Sequence, residues 1–145
     1  MSRPLFPRMS ARLRLVSYLT FGVLWLSGCM WMVLEYFFPS TTEFGPAPNP
    51  WQPAILHIHG WIAVATVFVL GWIGASHIVE RWGQPRNRVS GYTLVGLATV
   101  LMISGYALYY TTESPHRAAA LAHEFLGLAA VVFATAHWWK AAEPR

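Results

Sequence analysis

The sequence predicts an all-α integral membrane protein, a bundle of four transmembrane helices with both termini cytoplasmic, and three observations predict it. First, 55% of the 145 residues are hydrophobic and only 11% are charged, where a soluble domain carries about a quarter charged. Second, cutting the chain at its charged and proline-rich segments leaves four apolar runs, 15–38, 55–79, 89–110 and 118–139. Each exceeds the ~20 residues that a helix needs to cross a bilayer. Third, the basic residues are divided unevenly between the segments that join these runs. With the N-terminus inside, the inner segments hold Arg3, Arg8, Arg12, Arg14, Arg81, Arg86, Arg88, Lys140 and Arg145, and the outer ones hold only Arg117. Cytoplasmic segments are the ones enriched in Lys and Arg.

The first run is preceded by an Arg-rich segment and contains Leu26-Ser27-Gly28-Cys29, which has the look of a bacterial lipoprotein signal with cleavage before Cys29. The run continues past the cysteine as MWMVLEYFF, where a lipoprotein turns polar, so Cys29 reads as a small buried residue of the first span. The connection 39–54 carries five prolines and reads as a loop, with Pro53 at the start of the second helix. Segment 80–88, ERWGQPRNR, and segment 111–117, TTESPHR, read as short polar connections, with His116 a solvated loop residue. Trp51, Trp82, Trp138 and Trp139 fall near span ends, where indole rings settle at the headgroup level. Tyr106, Tyr109 and Tyr110 read as interfacial anchors in the same way. No linker or repeat interrupts the chain, so residues 1–145 read as a single domain. The formal net charge of +4 comes from charges lying between apolar runs, which points to membrane topology and away from nucleic acid.

The histidines are distributed unevenly. Of His57, His59, His77, His116, His123 and His137, all but His116 lie in the second and fourth runs. An ionisable side chain inside a bilayer is costly, and is by default a functional hypothesis. His123 and His137 are 14 residues apart, within about 40° of one helix face and about 21 Å apart along the axis. His59 and His77 are 18 apart, in phase on a straight helix and about 27 Å apart. His57 lies about 200° from that face. Alternating spans make the second and fourth helices parallel, so His59 and His123 share an outer level, and His77 and His137 an inner one. Two imidazoles at each of two levels suit two six-coordinate haem irons. A zinc or copper site would want three or four close ligands. Gly91 and Gly105, again 14 apart in the third run, lie at the two histidine depths and read as notches beside a flat macrocycle, with further notches at Gly28, Gly60, Gly71, Gly74 and Gly127. Small residues also let membrane helices approach with no cofactor present.

The pair His123-x13-His137, the motif His123-x3-Gly127, the text RNRVSGYTLVGLATVLMISGYALYY and four spans in so short a chain resemble the small di-haem transmembrane cytochromes b. Their superfamily includes the cytochrome b subunits of hydrogenases and formate dehydrogenases. The resemblance covers residues 55–139. It implies bis-histidine ligation of two b-type haems by His59, His77, His123 and His137, a role in electron transfer in a respiratory chain, and quinone as the membrane redox partner. The other partners it implies are redox subunits or a cytochrome on the outer side. Glu124, beside His123, and Glu35, near the outer end of the first run, would then be candidates for proton exchange with a quinone headgroup, with His57 close by. Glu124 also stands seven residues after Arg117, as a surface ion pair would require. The chain departs from the family in the 18-residue interval of the second run, longer than the spacing these cytochromes usually show. About 6 Å of axial mismatch has to be absorbed by helix tilt and inclined haem planes, and it falls on the outer site.

The resulting expectation is a di-haem electron carrier of the bacterial cytoplasmic (inner) membrane, acting alone or as the anchor subunit of a quinone-linked oxidoreductase rather than as a stand-alone enzyme. The alternative is a haem-free structural or accessory subunit whose histidines only bond neighbouring helices. An ion or metal transporter lacks a polar path between the two histidine levels. No phosphate loop, hydride-transfer fingerprint or nucleophile motif is present.

Overall fold

Ser10 opens the first helix by accepting a hydrogen bond from the Leu13 N–H at 3.2 Å, which satisfies a donor that a helix start otherwise leaves unpaired. The computed structural model describes residues 9–79, 82 and 87–142. Helix α1 spans Ala11–Phe37, beginning four residues before the apolar run because this cap, and not hydropathy, sets its start. Arg12 and Arg14 therefore belong to its first turn. It stops ahead of Pro39, since the residue before a proline is pushed out of the helical region.

The proline-rich connection is not a plain loop. Strands β1 (Ser40–Thr42) and β2 (Gly45–Ala47) pair antiparallel, with Ser40 opposite Ala47 and Thr42 opposite Gly45. Gly45 takes φ +109° at the turn, a conformation open to glycine. The Thr42 hydroxyl braces the turn, accepting from Phe44 N–H and donating to Gly45 O. Asn49 closes the segment, donating to Phe38 O at 2.8 Å and accepting from Trp51 N–H at 3.0 Å.

Helix α2 spans Gln52–Ile73, with Pro53 in its first turn, and continues as a π-helical turn over Gly74–Ile78. There the Val79 N–H bonds back to Gly74 O. A π turn takes up one residue more than an α turn, which rotates the residues beyond it by roughly 100°. The straight-helix phase that put His77 on the face of His59 therefore does not carry through this turn.

Helix α3 spans Arg88–Tyr110, entered through Asn87 at φ 59°, a left-handed conformation that asparagine tolerates. Helix α4 spans Glu113–Ala142. The expected connection 111–117 shrinks to Thr111 and Thr112, because Pro115 fits the first turn of a helix, where no N–H is needed. His116 is thus helical and exposed, donating from Nδ1 to Thr111 O at 3.2 Å, and does not lie in a loop. Arg3, Arg8, Arg81, Arg86 and Arg145 of the charge count lie outside the described residues.

All four helices are long and apolar enough to cross a membrane. Their contacts divide the chain after residue 83 into two compact units, one holding α1 with α2 and the other α3 with α4. The burial pattern inverts that of a soluble protein. Trp61, Phe68 and Val89 are more than three-quarters exposed, whereas the buried set includes Ser17, Gln52, Thr66 and Ser104 beside Leu13 and Val69. Where lipid replaces water, apolar residues can face outward and small polar ones pack between helices. The Ser17 and Thr66 hydroxyls each donate to the carbonyl one turn back, so neither arrives at the packing surface unsatisfied.

Candidate cofactor-ligating site

Each of three histidines rests on a Ser-Gly dipeptide of the neighbouring helix in its own hairpin. Ser27 Oγ lies 3.0 Å from His59 Nδ1, Ser104 Oγ 2.9 Å from His123 Nδ1, and Ser90 Oγ 2.9 Å from His137 Nδ1. The following glycine makes room for the ring. A Cβ on Gly28 would stand 3.2 Å from His59 Cε1, one on Gly105 3.1 Å from His123 Cε1, and one on Gly91 3.8 Å from His137 Cε1. Ser27-Gly28, Ser90-Gly91 and Ser104-Gly105 are all the Ser-Gly dipeptides in the chain. In every one the serine bonds an imidazole.

Helix geometry explains the arrangement. Ser90 and Ser104 are 14 residues apart on α3, as His123 and His137 are on antiparallel α4, so both pairs can meet along one seam. Gly91 and Gly105 stand at the histidine depths, as their spacing predicts, but the space each leaves is taken by an imidazole, a role the sequence alone did not assign. Gly71 and Gly74 face open space, and Gly127 meets only Leu101. The sequence reading missed the serines altogether. Their signal is the repeated dipeptide with the interval of the histidines.

In the first hairpin, His59 is half-buried against α1, whereas His57, two residues earlier, is exposed. His77 sits within the π turn. The seating of His59 and His123, each within its own hairpin, is thus alike. Glu35, in the last turn of α1, accepts from the buried Gln52 Nε2 at 2.6 Å. It lines a cavity of about 250 Å³ with Pro39, Pro46, Ala47, Pro48 and Asn49. Glu124 is half-buried beside His123. Tyr106, Tyr109 and Tyr110 are exposed, with the first and last rings 4.6 Å apart.

No family model, curated protein or solved structure matches this chain. Chemistry must therefore be read from the donors. Among the described residues no three or more His, Cys, Asp or Glu side chains converge on a point. A metal that takes most of its ligands from a macrocycle needs only an imidazole on either side. An imidazole anchored through Nδ1 is the form in which a second nitrogen, Nε2, ligates a metal in a fixed orientation. The residues present fit a haem on these grounds.

Two glycines of α3 should respond oppositely to alanine. Gly105→Ala presses a methyl against the His123 ring, whereas Gly96 has nothing within 4 Å. Gly96→Ala should stabilise the helix by up to about 1 kcal/mol from propensity alone, and Gly105→Ala should lower stability. Denaturation of the purified variants in mixed detergent micelles measures both signs.

Proposed function

We propose that the chain is a di-haem b-type cytochrome of the bacterial cytoplasmic membrane, with both termini cytoplasmic, that relays electrons across the bilayer between quinone and a redox partner, alone or within a larger complex. The observation that carries this reading is the recurrence of one His–Ser–Gly arrangement at three of the four histidines placed at ligand spacing. In this reading His59 and His123 hold one haem, and His77 and His137 the other. Bound haem supplies a one-electron iron couple.

The chain's own contribution is positional. Serine fixes each ring through Nδ1, glycine admits it to the helix surface, and the apolar helices keep water away, which favours a neutral imidazole over a charged ligand. The helix spacing separates the two levels by about 21 Å along α4, so that together they reach across most of the ~30 Å hydrocarbon layer. Glu35, with its cavity and its bond to Gln52, and Glu124, beside His123, are the carboxylates this reading assigns to proton exchange with a quinone headgroup near the outer level, with His57 exposed nearby.

A second reading is favoured by one feature, that each of the three Ser–His bonds closes within a single hairpin. Such bonds tie adjacent helices whether or not a cofactor is present, as a haem-free structural subunit would require. Extraction of the purified protein into acidified acetone, with haem quantified as its pyridine derivative, separates the two. Two non-covalent haems per chain are expected, and a count clearly below one would transfer the histidines to the structural reading.

A further inference from the structure

A serine hydroxyl has one proton to give. In all three cradles it is already given to the main-chain carbonyl three residues back: Ser27 donates to Leu24 O at 2.8 Å, Ser90 to Asn87 O at 3.0 Å and Ser104 to Leu101 O at 3.1 Å. Toward the imidazole the oxygen can then only accept. A short Oγ to Nδ1 contact with an accepting oxygen requires the proton on Nδ1, and in a neutral ring this leaves the lone pair on Nε2.

We propose that Ser27, Ser90 and Ser104 are positioning residues that lock His59, His137 and His123 as the Nδ1–H tautomer in the cofactor-free protein, so that Nε2 is selected as the ligating atom before a metal arrives. The choice of hydroxyl has an electronic consequence. A hydrogen bond accepted from Nδ1–H makes Nε2 more basic, which favours the oxidised metal. Removing the hydroxyl should therefore make the metal easier to reduce. This second effect rests on the haem-ligating reading, whereas the tautomer lock does not.

The test uses the full chain labelled with 15N-histidine in detergent, without cofactor, at alkaline pH where the rings are neutral. Long-range proton–nitrogen correlation spectra should show Nδ1 as the protonated nitrogen of His59, His123 and His137. His123 also bonds the Leu101 main chain, so Ser90 gives the deciding variant: Ser90→Ala should convert His137 toward the Nε2–H form that free histidine favours and leave His123 unchanged, and Ser90→Thr should restore it. Ser27→Ala reports on His59 in the same way, so the proposal remains testable if one variant does not fold. An Nε2–H form in the unaltered protein, or a His137 tautomer indifferent to Ser90→Ala, would overturn it.

In haem-loaded protein, Ser90→Ala should raise the reduced-to-oxidised ratio of one component up to about tenfold at fixed potential, about 59 mV for one electron. Unchanged ratios would remove the electronic effect and keep the lock. A tautomer switch in a protein that never retains haem would uphold the lock and reject the cytochrome reading, so the two failures are distinguishable.

Discussion

His59→Ala should halve the haem content of the purified protein, from two per chain to one, while His57→Ala leaves it at two. The contrast is the sharpest available because the residues are two positions apart and chemically identical. About 200° of helical rotation separates them. His59 is half-buried with Ser27 and Gly28 against its Nδ1–Cε1 edge, whereas His57 is exposed. A ring already oriented by a neighbouring helix can ligate with little further loss of rotamer entropy, and an exposed one cannot supply that orientation. Pyridine haemochrome assay against protein concentration reads the result. If His57 proved essential and His59 dispensable, the outer ligand assignment would have to be discarded.

His137→Ala should remove one spectral component and spare the other. His137 and His123 are held by different Ser-Gly dipeptides, Ser90-Gly91 and Ser104-Gly105, and share no bond. At about 21 Å along α4 they are too far apart for one imidazole to serve both levels. Reduced-minus-oxidised spectra at low temperature resolve the components, and circular dichroism confirms that the variant remains helical. Loss of all haem from a helical variant would show that the two sites are not independent.

The four spans were legible because hydropathy over some twenty residues is a strong signal that no local detail overrides. Their ends were less so. Ser10 and Asn87 set helix starts through a cap and a left-handed residue, and Pro115 joined the helix despite its polar neighbours. The two-stranded hairpin of 40–47 was hidden because prolines spoke for a loop, while its register depends on the Gly45 turn and the Thr42 hydroxyl. Nothing in GASHI announces a π turn, so a straight-helix count does not extend through the segment that holds His77. The histidines themselves stood out by rarity and spacing. Their serines did not, since Ser next to Gly in a membrane helix is ordinary, and only the fourteen-residue interval shared by Ser90–Ser104 and His123–His137 made a pattern of it.

The division of the chain after residue 83 bears on how the protein is made. A Ser–His bond that closes inside one hairpin needs nothing from the other, so the Ser27–His59 seat can form as soon as α1 and α2 have entered the bilayer, while later residues are still being translated. Ser104–His123 and Ser90–His137 likewise need only α3 and α4. Insertion can thus deliver two helical pairs with their imidazoles already set, each complete in these bonds without waiting for the other. The polar bonds that would be hardest to complete in hydrocarbon are then the first to be made.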